Sequence, residues 1–382
     1  MRNDQAVEIF CTGATGFVGA HTALALLGRG HRLRLLVRDE ARARHWFESH
    51  GHQIDRFVTA DLNDRTAVER AMAGCDAVFH AAATVSLNRA EAEKTYANNV
   101  GAAKSVLDAA DHLDIDNVVY VSSVTALFRP GLARIDEMTP LGDVSEAYSR
   151  SKRDGDAYVR GLQQRGLPVQ ITYPSGVVGP DDPKLSALNR AVKSFVCQAL
   201  PRTSGGLQAV DVRDLAQAHL WLLEHPNTGD PEGARYIVGG HFYPWAELRR
   251  VLENLLGYRV FSPRVAPRLM RATGAAVDVV RRVVPFEAQI SAESMVINTL
   301  LPPADSSRFV SKSGVTFRSG EDTFADTIRW LAGAGHVDLE GLRQCLDTYG
   351  VRHRQREFHR ITSFRCGAPL RATSLPAFFA GM

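Results

Sequence analysis

Short apolar runs alternate with amphipathic stretches along the first 175 residues of the chain. The apolar runs predict strands over Val7–Cys11, Leu33–Val37, Arg56–Thr59, Ala77–Phe79, Val118–Val121 and Val169–Tyr173. Apolar residues at helical spacing predict helices between them, over Val18–Leu27, Glu40–Phe47, Arg65–Met72, Ala90–Ala110 and Glu146–Gln164. This alternation is typical of strand–helix–strand units, so we predict an α/β fold with a doubly wound parallel sheet.

The alternation stops after Tyr173, where Gly and Pro become frequent and predict loops with shorter elements. Mainly helical patterns follow, among them Leu215–Leu223, Trp245–Leu255 and Phe324–Leu331. We therefore predict a first domain over residues 1–174, with segments of 207–240 packing back on it. A smaller, mixed and mainly helical domain is expected over 175–340, followed by a tail over 341–382.

One helical pattern, between residues 265 and 284, combines an apolar stripe with arginines. The stripe consists of Val265, Leu269, Ala272, Ala276, Val280 and Val283, and the arginines are Arg264, Arg268, Arg271, Arg281 and Arg282. We expect this helix to pack its stripe on the second domain. The alternative is a basic amphipathic helix that lies on a membrane surface.

Composition and charge narrow the classes of partner. Hydrophobic residues make up 45% of the chain and charged residues 23%, which excludes wholesale disorder. The formal charge is +3, but residues 351–382 hold six arginines and one acid, so the remaining residues sum to −2. Because the body of the protein is nearly neutral, we expect no nucleic-acid partner, and a solvated basic tail.

The five cysteines, Cys11, Cys75, Cys197, Cys345 and Cys366, are scattered and show no C-x-x-C spacing. We therefore expect reduced thiols in a cytoplasmic protein, with no metal site. The N-terminal residues lack the apolar core of a signal peptide, and no run of about 18 apolar residues occurs. No membrane span is expected, while peripheral membrane contact stays open.

A glycine-rich segment, Thr12–Gly19, links the first predicted strand to the first predicted helix. Its glycines, Gly13, Gly16 and Gly19, follow the spacing G-x-x-G-x-x-G. Glycine at such a turn lets the backbone approach a pyrophosphate, which the amide groups and the dipole of the helix N-terminus then bind. The segment predicts a dinucleotide site.

The end of the second strand bears on which dinucleotide is bound. An acid there usually binds the ribose 2′-hydroxyl of NAD, but Val37 occupies that position and Arg38 follows it. A guanidinium suits a 2′-phosphate, so we predict NADP, with Asp39 keeping NAD as the alternative. After the third strand, Asp61 could accept a hydrogen bond from the adenine amino group, or it could cap a helix.

Tyr148 and Lys152 stand four residues apart on a predicted helix, and therefore on one face of it. An ammonium group one turn away would favour the phenolate and lower the tyrosine pKa, which suits Tyr148 to exchange protons with a carbonyl or alcohol oxygen. Ser122 and Ser123 follow the fifth strand. A serine at that end of a parallel strand points into the ligand crevice and can bind the reacting oxygen.

Together these motifs resemble the extended short-chain dehydrogenase/reductase family over about residues 6–335. The matching segments are Thr12–Gly19, Asp61–Leu62, Val78–Ala83, Asn99–Val100, Val121–Ser123, Tyr148–Lys152, Tyr173–Pro180 and Asp211–Ala216. The resemblance implies a Rossmann domain with a substrate domain, and Ser123, Tyr148 and Lys152 as the catalytic residues. Ser123 is preferred to Ser122 because the serine of this family stands 25 positions before the tyrosine, as Ser123 does here. Asn99 would order a water for proton relay, or else bend its helix.

The same resemblance implies the residues that contact the cofactor. They are Gly13, Thr15, Gly16, Phe17, Val18, Gly19, Arg38, Asp61, Leu62, Ala81, Ala82, Tyr148, Lys152, Tyr173 and Ser175.

Within that family the segments Leu36–Asp39 and Pro174–Gly176 look most like dihydroflavonol, cinnamoyl-CoA and 3β-hydroxysteroid dehydrogenase-like reductases. That branch implies an NAD(P)-dependent dehydrogenase or reductase that acts on a carbonyl or alcohol of a bulky, largely apolar small molecule. A nucleotide-sugar epimerase is the first alternative, and a non-catalytic NADP sensor is the second. Dehydratase chemistry is not expected, because Ala126 and Leu127 stand where an Asp-Glu pair would be required. We also expect a homodimer.

Overall fold

The computed structural model describes residues 6–54, 56–84, 91–144, 146–227, 230, 233–283 and 291–341. The strands are β1 Glu8–Thr12, β2 Arg32–Val37, β3 Arg56–Thr59, β4 Ala77–His80, β5 Val118–Val121, β6 Val169–Pro174, β7 Gly176–Val178, β8 Gly206–Asp211, β9 Arg235–Val238 and β10 His241–Pro244. The helices are α1 Phe17–Gly28, α2 Glu40–Ser49, α3 Arg65–Met72, α4 Ala92–His112, α5 Ala147–Gln164, α6 Ala187–Cys197, α7 Val212–Glu224, α8 Trp245–Leu256, α9 Pro267–Val283, α10 Ala292–Leu300, α11 Ser307–Ser313 and α12 Gly320–Gly333. The six strands predicted before residue 175 are all present.

Seven strands form the central sheet in the order β3-β2-β1-β4-β5-β6-β9. Every neighbouring pair in this sheet is parallel. The chain order reverses direction between β1 and β4, and ligands of such sheets bind at that point, beyond the carboxyl ends of the strands. The predicted doubly wound α/β fold is confirmed.

Side chains of the central strands point alternately to the two faces of the sheet, and a separate hydrophobic core lies on each face. Phe10 of β1 points into the core beneath α3, α4 and α5, whereas Ile9 and Cys11 point into the core beneath α1 and α7. Successive side chains of a strand face opposite sides of its sheet, so a strand buried on both faces is apolar throughout. That is why the apolar runs predicted these strands so closely.

The part of the chain after Tyr173 contains more strand than the sequence indicated. β7, β8 and β10 form a small mixed sheet, in which β8 pairs parallel with β7 and antiparallel with β10. A third core lies between this sheet and helices α6, α8 and α12. By contrast, β9 pairs with β6 and so belongs to the central sheet, and α7 packs on α1 against one face of that sheet. The exact division of the chain into domains stays a prediction.

Helix α9 forms where the apolar stripe predicted it, but the expected packing of the stripe on the second domain is wrong. Leu269, Ala272, Ala276 and Val280 are all exposed. The buried face of α9 instead meets α10, because a Cβ at Gly274 would lie 2.5 Å from the Ser291 carbonyl oxygen. Small residues allow helices to approach this closely, so α9 buries its Gly274 side and leaves the stripe outside.

Some predictions concern parts of the chain that the structure leaves out. The basic tail beyond Gly341, with Cys345 and Cys366, lies outside the described residues, as do the side chains of Val283, Arg281 and Arg282. Within the described ranges, no helix is long and apolar enough to cross a membrane.

Candidate active site

The glycine segment Thr12–Gly19, which joins β1 to the first turn of α1, requires glycine at two of its three glycine positions. Gly13 has a φ of +77°, and a Cβ there would lie 2.6 Å from the backbone nitrogen of Ala82. A Cβ at Gly19 would lie 2.2 Å from the Gly13 carbonyl oxygen. Gly16 precedes the first residue of α1 and supplies no side-chain cap. The first amide groups of α1 are therefore left for a ligand, and the helix dipole favours an anionic one.

Gly19→Ala should distort this segment, because the added Cβ would clash with the Gly13 carbonyl oxygen. Neither atom can move away by rotation of a side chain. We expect a loss of about 2 kcal/mol in stability and at least a roughly tenfold weaker affinity for a nicotinamide dinucleotide. Thermal unfolding and cofactor fluorescence titration measure the two effects.

Gly28→Ala is the matched control in the same helix, because no atom lies within 4 Å of the added Cβ. This variant should keep its cofactor affinity and gain up to about 1 kcal/mol of stability. If both variants had the same stability and the same cofactor affinity, the close contact between Gly13 and Gly19 would not have the role assigned to it.

At the end of β2 the structure groups three cations, the predicted Arg38 together with Arg42 and Lys184. Arg38 is exposed, and Asp39 beside it caps α2 by accepting a hydrogen bond from the Arg42 backbone N–H at 2.9 Å. Partial burial, then the positive charges of Arg38 and Arg42, lower the pKa of Lys184. The three cations are therefore neighbours, although Lys184 is distant in sequence and carried no local signal.

The loop that carries Lys184 is held by a buried carboxylate. Asp182 accepts hydrogen bonds from the Lys184 backbone N–H at 3.1 Å and from Asn189 Nδ2 at 3.0 Å. The same loop contacts α1, where His21 Nε2 lies 3.1 Å from the Pro180 carbonyl oxygen. These bonds fix the loop across the glycine segment and place Lys184 on the side of Arg38.

Asp61 lies exposed after β3 and accepts hydrogen bonds from the backbone N–H and side-chain amide of Asn63, at 3.0 and 3.2 Å. It does not cap α3, because that position belongs to Asp64, which accepts from the Ala67 N–H at 3.1 Å. The interpretation of Asp61 as a helix cap is therefore wrong. Leu62 next to it packs against the core on the α4 side of the sheet.

The predicted serine, tyrosine and lysine come together beyond the end of β5. Lys152 is buried on α5 and donates a hydrogen bond from Nζ to the Val121 carbonyl oxygen at 2.8 Å. The same Nζ lies 6.0 Å from the centre of the Tyr148 ring. Ser123 accepts hydrogen bonds from the backbone N–H and hydroxyl of Thr125, at 3.2 and 3.0 Å. Its own proton remains to be donated, and Ser123 hydrogen bonds to Tyr148.

The electrostatics of this group differ from the sequence expectation. Burial, reinforced by the charge of Glu146, raises the pKa of Tyr148 to about 12, while the hydrogen bond from Ser123 acts in the opposite direction. Burial also lowers the pKa of Lys152 to about 8, and the charge of Asp156 opposes that fall. For the protein's own groups the pKa of Tyr148 is therefore raised, because burial and the charge of Glu146 prevail over the hydrogen bond from Ser123. The lowering expected with the positive nicotinamide bound stays a prediction.

A buried carboxylate that the sequence analysis missed lies one turn beyond Lys152. Asp156 is fully buried and accepts hydrogen bonds from Arg160 Nε at 2.6 Å, Ser122 Oγ at 2.9 Å and the Tyr173 hydroxyl at 3.2 Å. Tyr148, Lys152, Asp156 and Arg160 recur every four residues along α5, a helical spacing that could have revealed them. Tyr173 was predicted at the cofactor, but its side chain belongs to this network and its backbone lies within β6, paired with Ile237 of β9.

Asn99 uses its whole side-chain amide for structural contacts. Its oxygen accepts from the Thr84 N–H at 2.8 Å, and its nitrogen donates to the Thr84 carbonyl at 2.9 Å and to Ser151 Oγ at 3.0 Å. These bonds tie the segment after β4 to α4 and α5. Both amide protons are engaged, so Asn99 positions this loop, and its side chain could order a relay water only as an acceptor. The proton-relay role stays a prediction.

The remaining predicted cofactor residues surround the glycine loop or face the interior. Ala81 and Ala82 lie against Gly13. Phe17 begins α1 and contacts the His21 ring edge-on at 5.4 Å between ring centres, while Thr15 and Val18 are half-buried beside it. Ser175 is buried and donates to the Gly239 carbonyl oxygen at 2.7 Å, so its hydroxyl is already used. A dinucleotide fits the open backbone at Gly13–Gly19 better than it fits these two interior side chains, Tyr173 and Ser175.

Comparisons with known proteins agree with this arrangement. Residues 9–239 match the model of the NAD-dependent epimerase/dehydratase family. The chain is 30% identical over 350 residues to a provisionally named dihydroflavonol 4-reductase of Synechocystis sp., an alignment that spans 87% of this chain and 96% of the relative. It is 28% identical to sterol demethylase protein B of Methylococcus capsulatus, over 85% of this chain and 98% of that protein.

Among solved structures, the fold is similar to UDP-glucose 4-epimerase from Bifidobacterium longum in complex with NAD+ and UDP. The TM-score is 0.65 at 18% sequence identity, and the alignment covers 86% of this chain and 99% of the other. At that identity the likeness concerns the fold alone.

Proposed function

This chain belongs to the NAD-dependent epimerase/dehydratase family, and from that premise we propose that it is an NADP-dependent oxidoreductase that interconverts a carbonyl and an alcohol. The observation that carries the proposal is the group formed by Ser123, Tyr148 and Lys152 at the carboxyl end of β5. A tyrosine that is hydrogen-bonded by a serine and backed by a buried ammonium can exchange one proton with a substrate oxygen.

The roles of the three side chains follow from their contacts. In the direction of reduction, Tyr148 donates its hydroxyl proton to the carbonyl oxygen while the carbonyl carbon gains a hydride. Ser123 donates a hydrogen bond to that oxygen and stabilises the negative charge that develops on it. Lys152, buried against the Val121 carbonyl, stabilises the phenolate left on Tyr148. In the reverse direction the phenolate removes the alcohol proton.

The bound cofactor would supply or accept the hydride through its nicotinamide. Its pyrophosphate would rest on the backbone of Gly13–Gly19 at the start of α1, where an added Cβ would clash. Arg38, Arg42 and Lys184 would surround a phosphate on the adenosine ribose. The combined positive charge of these three side chains suits a phosphate, which supports NADP over NAD.

Arg38→Ala and Lys184→Ala should each weaken NADPH binding by roughly tenfold or more, through loss of a charge-assisted contact to phosphate. The affinity for NADH should be unchanged, because NADH lacks that phosphate. Fluorescence titration with both cofactors measures the two affinities. Arg44→Ala is the matched control, since Arg44 on the same α2 helix already pairs with Glu40 at 2.7 Å. Equal losses for NADPH and NADH would contradict the assignment of NADP.

The substrate that we propose is a bulky, largely apolar small molecule. Supporting this are the relatives whose names refer to a flavonoid reductase and to sterol demethylation. A sugar nucleotide is the alternative, suggested by the fold of UDP-glucose 4-epimerase. Against that alternative, Val37 occupies the position where the nucleotide-sugar enzymes usually carry an acid, and an exposed arginine, Arg38, follows it.

One experiment separates these functions. The purified protein is titrated with NADPH and NADP, then offered sterols, aromatic aldehydes and ketones, and nucleotide-sugars while nicotinamide absorbance is recorded. Net oxidation or reduction of the cofactor with an apolar carbonyl or alcohol supports the proposal. Sugar epimerisation without net cofactor change would establish the epimerase instead, and tight binding without turnover of any class would favour a sensor.

A further inference from the structure

The exposed face of α9 is an apolar surface that contains no acid among the described residues. Its apolar residues are Leu269, Ala272, Ala276, Val279 and Val280, which recur at helical spacing along the outer side of the helix. Thr273 lies among them, and its hydroxyl donates a hydrogen bond to the Leu269 carbonyl oxygen at 3.0 Å. Leu269 is 62% exposed, and Val279 and Val280 are 57% and 50% exposed, which is unusual for three large aliphatic side chains of one helix. We call this surface the α9 face.

Two charged residues of α9, Arg271 and Asp278, contact the neighbouring helix instead. The carboxylate of Asp278 accepts a hydrogen bond from the Ala292 N–H at 2.9 Å, and Arg271 donates to the Thr299 hydroxyl at 3.2 Å. Both contacts are made with α10. The helix therefore orients its only described acid inward and its aliphatic residues outward, the reverse of a helix that faces water.

Cations lie at the N-terminal end of the α9 face. Arg268 is exposed within its first turn, and Arg264 is exposed just before it, close to Phe261, which is 70% exposed. Arg264 also lines a cavity of about 430 Å³ together with Arg202, Thr203, Ala246, Val265 and Ala266. Arg202 is fixed there by hydrogen bonds to the Ser262 carbonyl oxygen at 3.3 Å. An apolar face is thus bordered by guanidinium groups and by a recess that they line.

From this arrangement we infer that the α9 face docks on a bilayer that contains anionic phospholipid. Leu269, Val279 and Val280 enter the boundary between headgroups and acyl chains, while Arg264 and Arg268 bind the lipid phosphates. The positive charge of these arginines complements the lipid phosphates, which favours the bilayer as the occupant. A second copy of this chain is the alternative, and the experiment below distinguishes the two. The inference does not rest on the proposed enzymatic activity.

Docking in this way would place the bilayer next to the candidate active site. The α9 helix packs on α10, and Glu293 of α10 accepts a hydrogen bond from the backbone N–H of Glu146. Glu146 precedes α5 and stands two residues before Tyr148. The α9–α10 pair therefore connects the docked face with the helix that carries the tyrosine.

Vesicle flotation with the full-length protein tests the inference, with one set of vesicles of phosphatidylcholine alone and a second that also contains phosphatidylglycerol. We expect flotation with the anionic vesicles and little with the neutral ones. The double variant Leu269→Gln, Val280→Gln should lower the vesicle partition coefficient by roughly tenfold or more, since two aliphatic side chains no longer leave water. Met138→Gln is the matched control, because Met138 is also 62% exposed but lies outside the α9 face.

The variants are neutral, so the basic tail keeps its charge in all of them. Flotation that is the same for the wild type and the double variant would assign lipid binding to the tail and overturn the inference. Absence of flotation, combined with a wild-type dimer that the double variant converts to a monomer in light scattering, would make a second copy the occupant. Circular dichroism of each variant checks that α9 remains folded.

Discussion

Replacing Tyr148 by Phe should lower the rate of carbonyl reduction by roughly 10³-fold, while leaving the affinity for the nicotinamide cofactor within about twofold of the wild type. The substitution removes one hydroxyl group and keeps the ring that packs at the start of α5. Without that hydroxyl, the carbonyl oxygen must take its proton from water. The Ser123 hydroxyl still accepts from Thr125 and can still orient the oxygen, so a residual rate should remain.

Single-turnover absorbance of bound NADPH separates the chemical step from cofactor binding in this variant. Tyr96→Phe is the matched control, because the Tyr96 hydroxyl donates to Asp154 at 2.8 Å, away from Ser123 and Lys152. We expect near wild-type turnover for the control. Wild-type turnover by Tyr148→Phe would assign the acid to another group, whereas parallel losses of rate and cofactor affinity would give Tyr148 a binding role only.

Most of the central sheet could be predicted from the sequence because β1, β4, β5 and β6 are buried along their whole length. The clearest case is β5, Val118–Val121, which begins and ends where its apolar run does. The small sheet could not be predicted in the same way. Its strand β10 has two exposed and one half-buried residue, and β7 has only three residues, so neither produces an apolar run.

The candidate site was predictable where its residues lie close together in sequence. Gly13–Gly19 occupy one loop, and Tyr148 and Lys152 occupy one helix, so spacing alone placed them. Lys184 reaches Arg38 only through the fold, because β7 carries the chain back past α1 after almost 150 residues. The raised pKa of Tyr148 could not be predicted for a related reason: its main cause is burial, and burial is a property of the whole fold.

The apolar stripe of α9 shows what helical periodicity in a sequence does not predict. The sequence pattern correctly placed a helix there, but helical spacing of apolar residues says only that they share a face. Which face becomes buried depends on the neighbour, and Gly274 allowed α10 to approach on the opposite side. The helix does pack on an element of the second domain, α10, but with its Gly274 side and not with the apolar stripe.

Replacing Asp156 by Asn should have the second large effect. It should lower the free energy of unfolding and change the pH dependence of the reduction rate. The substitution keeps the shape of the side chain but removes the charge that pairs with Arg160 at 2.6 Å and faces Lys152. Arg160 then lacks its partner for a guanidinium that is mostly buried. Breaking such a pair from one side costs about 3 kcal/mol, to be measured as a shift of the urea midpoint at constant slope.

The pH dependence of reduction follows from the pKa of Lys152. At about 8, the ammonium form dominates below that pH and is lost above it, so the reduction rate should fall as the pH rises through about 8. Asp156 raises the Lys152 pKa by its negative charge. In Asp156→Asn the ammonium is less favoured, and the falling limb should move to lower pH by roughly one unit.

Asp154→Asn on the same helix is the control for both measurements, because that carboxylate pairs with Arg153 near the surface at 2.7 Å. It should cost at most about 1 kcal/mol and leave the pH limb in place. Asp156→Glu, which restores the charge, should return the limb toward about pH 8 even where stability is not fully recovered. Destabilisation of Asp156→Asn with an unchanged pH limb would make Asp156 a purely structural residue, without influence on the protonation of Lys152.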